Sequence, residues 1–158
     1  MKTTPQRAVG TWIARGVIAM LGLVAALGAQ ADENAPTAKG TDGLAPAPVA
    51  IANATGEAIA CGATLAHWYS ADLGTAAPGG RIAIAFWADI ATGEVFLLNA
   101  RGDRMPVQTL WCGFDGRSWE TRATIALDRR AGEEPKPVDL TCAASAGEKV
   151  ACRQSKAK

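Results

Sequence analysis

The chain is 158 residues long, with 16 basic and 15 acidic side chains, one histidine, four cysteines and 49% hydrophobic residues. That near-neutral balance excludes the electrostatic footing that nucleic acid and anionic membrane surfaces require. With one histidine and no C-x-x-C pair, the common zinc spacings are excluded as well, and neither a metal nor another cofactor is expected.

In chain order, residues 1–31 read as a targeting segment. Lys2, Arg7 and Arg15 give a positive start with no acidic residue, and an apolar run follows over residues 16–29. That run falls short of the ~20 residues a spanning helix needs. It ends in Ala29-Gln30-Ala31, a small-x-small cleavage pattern, so a signal peptide cut before Asp32 is expected, an uncleaved N-terminal anchor being the competing reading. No cysteine follows the site to carry a lipid, and no Arg-Arg pair precedes the run. Cleavage leaves 13 basic and 15 acidic residues, net −2, and no stable membrane insertion. The expected address is a bacterial periplasm or the exterior.

Residues 32–48, rich in Ala, Pro, Gly and small polar residues, lack apolar periodicity and read as a flexible leader. One β domain is expected over residues 49–153, a common size for a single core. Residues 154–158 read as a disordered basic tail.

Within the domain, apolar residues alternate with period two between turn signals. VAIANAT (residues 49–55) and AIACGATLAHWYS (58–70) are the first two expected strands, and ADLGTAAPGG (71–80) reads as a loop. RIAIAFWAD (81–89) places Ile82, Ile84 and Phe86 on one face. EVFLLNA (94–100) follows, then MPVQTLWCGF (105–114), with Arg101-Gly102-Asp103 as the turn between them rather than an adhesion tripeptide. Asp115-Gly116 is a two-residue hairpin signal. SWETRATIALD (118–128) alternates cleanly, with Trp119, Thr121, Ala123, Ile125 and Leu127 inward. A polar loop leads to a last hairpin of VDLTCAA and EKVACR. Seven or eight strands with short turns predict an all-β fold: a small antiparallel β-sandwich, immunoglobulin-like or similar, or a small barrel, stapled by disulfides. Asn53-Ala54-Thr55 also fits a glycosylation sequon, relevant only in a host that glycosylates there.

Cys61, Cys112, Cys142 and Cys152 form an even set behind an export signal, which argues for two disulfides. Of the three pairings, Cys142–Cys152 with Cys61–Cys112 is favoured. A hairpin centred on Gly147 sets Cys142 opposite Cys152, close enough to bridge.

His67 falls in phase with Cys61 and Leu65, so it reads as a partly buried, hydrogen-bonded residue at the rim of the core. A metal site would need further imidazoles or thiolates, a Cys–His pair a free thiol, and a serine triad an elbow motif that is missing. Trp68, Trp87 and Trp111 have the opposite phase to their core-facing neighbours. They are expected on outer faces as a binding patch, with Tyr69 and His67 at its edge, the competing reading being rings that merely pack. The function expected is an exported, non-catalytic binding module that engages a protein partner in the envelope. A small-ligand or carbohydrate binder is the alternative, and a hydrolase using His67 or a loop carboxylate stands behind both.

Overall fold

The computed structural model describes residues 38–155. The expected signal peptide, its cleavage site and residues 156–158 lie outside the described residues. The chain divides into units of residues 1–35 and 36–158, and all described residues belong to the second. Among them, no helix is long and apolar enough to cross a membrane.

The described residues form a β-sandwich of two sheets. In chain order the strands are β1 (Ala45–Pro46), β2 (Val49–Asn53), β3 (Ile59–Leu65), β4 (Ser70–Ala76), β5 (Arg81–Ile84), β6 (Phe86–Ala88), β7 (Val95–Leu98), β8 (Arg104–Phe114), β9 (Ala123–Ile125), β10 (Val138–Ser145) and β11 (Lys149–Gln154). A single helical turn, α1, covers Ser118–Thr121. The larger sheet runs β1-β6-β7-β8-β3-β4, with β9 also on β8, and the smaller runs β11-β10-β2-β5.

Period-two patterning builds the interior. Ile59, Cys61, Ala63 and Leu65 of β3 and Leu110, Cys112 and Phe114 of β8 face Ile51 of β2, Ile84 of β5, Leu140 and Cys142 of β10 and Val150 of β11 in one buried cluster. The long strand β8 changes phase once. Thr64 pairs with Thr109 but Leu65 pairs with Val107, so Gln108 is an extra, bulged residue. The guanidinium of Arg129 donates to the carbonyls of Val107 and Gln108, satisfying acceptors at the bulge.

Both disulfides form with the favoured pairing, Cys61–Cys112 and Cys142–Cys152, and no cysteine is left free. Each joins residues directly opposite in register, Cys61 with Cys112 and Cys142 with Cys152. Their Cα atoms are 4.1 and 4.0 Å apart, the short spacing of a non-hydrogen-bonded antiparallel pair.

Several expectations are corrected. The strand expected over residues 81–89 is broken at Ala85: β5 belongs to the smaller sheet and β6 to the larger. Its partner does the same at Ala47-Pro48. Val49 pairs with Ile84, the Ala47 amide donates to the Phe86 carbonyl, and Pro46 pairs with Trp87. One antiparallel ladder thus folds over the corner from one sheet to the other.

The leader assignment for residues 32–48 therefore fails over its second half, where β1 continues β2 around that corner. Further upstream the chain is clamped by charge. The Lys39 ammonium lies 2.9 Å from Asp103 and Arg104 donates to the carbonyls of Gly40 and Asp42. The hydrogen bond from Asn99, then the one from Lys39, hold the Asp103 carboxyl below the usual aspartate range.

Residues 70–76 form strand β4 rather than a loop, its pairing with β3 interrupted by a bulge opposite Cys61 and Gly62. The sheets are also not purely antiparallel, because β2 and β10 run parallel. Residues 154 and 155 do not belong to a disordered tail: Gln154 pairs with Leu140, and the Ser155 amide donates to the Asp139 carbonyl.

The clean alternation over residues 118–128 misleads most. Asp115-Gly116 does not close a two-residue hairpin. The chain makes α1 before β9 rejoins β8, Ile125 facing Leu110 and Ala123 facing Cys112. Two residues explain the detour. The Thr121 hydroxyl accepts from the Phe114 amide and donates to the Arg117 carbonyl, both at 2.9 Å. Gly113 leaves room for the backbone of Ser118, whose carbonyl oxygen would be 2.1 Å from any Cβ added there. Thr121 is buried as expected, but Trp119 is exposed rather than in the core.

Asn53 is no glycosylation acceptor in this fold. It is 2% exposed, and its Nδ2 donates to the carbonyls of Glu57 (2.8 Å) and Ala76 (2.9 Å). Its Oδ1 accepts from the amide and hydroxyl of Thr55 at 2.9 and 2.8 Å. Asn53 and Thr55 are a buried polar hub that fixes the β2–β3 turn against the end of β4.

Candidate binding surface

The expected aromatic set is distributed over separate places. Trp87 is half-buried on the outer face of β6, directly opposite Pro46 of β1 and Phe96 of β7. Phe96 in turn faces Pro106 of β8. The four form a cross-strand row, and neighbours that close pack against one another. Trp87 is therefore held by its own sheet.

Trp111 lies five residues further along β8 than Pro106, about 16 Å of extended chain away. It is half-buried, and its indole rests on Gly62, its register partner in β3. A Cβ on Gly62 would meet Trp111 Cζ2 at 2.4 Å. Trp119 meets Trp111 edge-on, with centroids 6.1 Å apart and planes at 90°. Arg122 stacks over Trp119 at 3.7 Å from the ring centroid and donates to the Trp119 carbonyl. Sequence alternation missed this Arg122–Trp119–Trp111 stack. The signal for it was Gly113 followed by Ser118 and Thr121, a close backbone approach and a side-chain brace that strand pairing does not need.

The third place is the β3–β4 hairpin tip. Strand β3 stops at Leu65, whose amide donates to the Tyr69 carbonyl at 2.8 Å. Residues 66–68 form one tight 3₁₀ turn, with His67 at φ 60° and ψ 33° and Trp68 at φ 66°. Positive φ at both centre residues is what a type I′ hairpin turn requires, and Asn-Gly usually supplies it. An ordinary side chain in that region costs about 1–2 kcal/mol per residue. His67 is not at the rim of the core, because strand pairing ends at Leu65 and the turn swings it outward. Trp68 is 102% exposed, Tyr69 60%, and His67 is exposed beside them.

Trp119, also well exposed at 57%, differs in kind. Arg122 stacks on its ring and Trp111 meets it at a right angle, whereas the tip holds its aromatic residues in open solvent. None of these rings lines the cavities found among the described residues. A groove of about 290 Å³ is lined instead by Pro48, Val49, Ala83, Ile84, Pro137 and Val138, where β2 and β10 begin and β5 ends. No family model, curated protein or solved structure matches this chain.

Proposed function

We propose that the protein is an exported, non-catalytic binding module of the bacterial envelope, and that it grips a protein partner with the β3–β4 tip, Trp68 and Tyr69 leading and His67 beside them. One observation carries the reading. A fully exposed tryptophan occupies a left-handed turn position that a glycine would fill without strain. Strain kept at a surface with no packing to gain is a mark of a working site. Tryptophan and tyrosine bring large rigid area at low entropic cost and dominate binding hot spots. Trp87 and Trp111 drop to supporting roles, since each is seated in its own sheet.

The test is quantitative. The partner is isolated from envelope extract by photocrosslinking from position 70, which is exposed beside the tip and leaves Trp68 in place, then titrated against purified variants by calorimetry. Trp68→Ala should weaken binding by at least ~2 kcal/mol, roughly 30-fold, with the thermal midpoint unchanged or raised. Trp119→Ala should bind within about twofold of wild type. Equal losses in the two variants, or none in Trp68→Ala, would sink the proposal.

A further inference from the structure

The two disulfides meet. Sγ atoms of Cys112, Cys142 and Cys152 all lie within 4.8 Å of one another. Each bond joins neighbours within one sheet, β3 to β8 and β10 to β11, so neither links the sheets. The bonds instead abut across the sandwich interior. Access is uneven: Cys61, Cys112 and Cys142 are 1%, 0% and 0% exposed. Cys152 is half-buried, on the edge strand of the smaller sheet.

We propose that Cys152 is a thiolation site for small-molecule thiols, and that its modification transfers the second disulfide onto Cys142. The external thiolate attacks Cys152 Sγ and forms a mixed disulfide there, and the Cys142–Cys152 bond breaks with its electron pair on Cys142. The Cys142 thiolate, buried and desolvated, is a strong nucleophile held beside Cys112 Sγ. It attacks that sulfur, a Cys112–Cys142 bond forms, the Cys61–Cys112 bond breaks, and Cys61 leaves as thiolate. The proton lost by the external thiol ends on Cys61. Two bonds form and two break, so the exchange needs no oxidant or reductant beyond the thiol itself. The product joins β8 to β10 and so ties one sheet to the other.

The test uses folded, fully oxidised protein and reduced glutathione. Exchange is stopped with acid, which removes thiolate, and the chain is unfolded in a maleimide, digested without reductant and mapped by mass spectrometry. The expected pattern is glutathione on Cys152, maleimide on Cys61 in excess over Cys142, and a Cys112–Cys142 cross-link, all rising together. Glutathione on Cys152 with maleimide on Cys142 and an intact Cys61–Cys112 bond would overturn the transfer. Adducts that form only in denaturant would overturn the site.

Discussion

Trp111 and Trp68 both answer to strand β3, and the strand treats them in opposite ways. Trp111 lies on a floor cleared for it: Gly62 has no side chain, Trp119 braces its edge, and the Cys61–Cys112 bond sits next in register. Six residues beyond Gly62, at the tip, Trp68 stands on a left-handed backbone with its whole surface in water. One ring is accommodated by shortening its neighbour, while the other is displayed at a cost to its own backbone. A fold selected for stability alone would repeat the first solution and avoid the second. The tip, just beyond the end of β3, is where the proposed partner would account for residues that the domain's own packing leaves unused.

Breaking the stable end should have the largest effect. Replacing Cys61 and Cys112 together by Ala removes a link across a separation of 51 residues, and the Cys142–Cys152 link spans 10. Loop entropy assigns these about 4 and about 3 kcal/mol. Urea unfolding should show the Cys61/Cys112 variant as the weaker of the two double replacements. The reverse order would mean that the β10–β11 hairpin, not the β3–β8 ladder, governs cooperative unfolding.

This framework was legible in the sequence because it rests on local rules. Gly147 centres a hairpin whose arms carry Cys142 and Cys152, and Ile59, Cys61 and Leu65 keep a single phase. The missing pieces share a different physics. At Ala85 the chain changes sheets without changing phase, so Ile82, Ile84 and Phe86 all face inward and no pattern marks the break. Trp119 kept the phase of Thr121 and Ile125, yet one hydrogen bond accepted and one donated by the Thr121 hydroxyl, with an absent Cβ at Gly113, sufficed to coil the segment. Residues 38–48 looked too polar to order themselves. They are ordered by pairing with β6, by the Asp103 carboxylate that holds Lys39 and by Arg104, partners far away in sequence. Of the candidate surface, composition revealed the aromatic residues, but only the turn geometry separated Trp68 from Trp87 and Trp111.

A smaller change sharpens the contrast at the floor itself. Gly62→Ala places a methyl 2.4 Å from the Trp111 ring, so the indole must tilt off β3. Overpacking of this kind costs about 1–3 kcal/mol. Chemical denaturation should register that loss, and the Trp111 contribution to fluorescence should shift to the red as the ring gains water. Binding by the tip should be unaffected, since the turn at residues 66–68 lies beyond the last β3 pair with β4, Thr64 with Ser70.

The smallest effect has the opposite sign and is the most informative. Changing His67→Asn together with Trp68→Gly installs the residues that the observed positive φ values at 67 and 68 favour. Relief of two left-handed side-chain conformations should raise stability, by about 1–2 kcal/mol after the glycine's entropy in the unfolded chain is set against it. The gain is expected as a higher urea midpoint with the same slope. The same protein should lose its partner, because stability gained at a strained functional turn is commonly gained at the expense of activity. A variant more stable and still fully binding would detach the strain from the binding role. A variant less stable than wild type would mean that Trp68, for all its exposure, contributes to the fold.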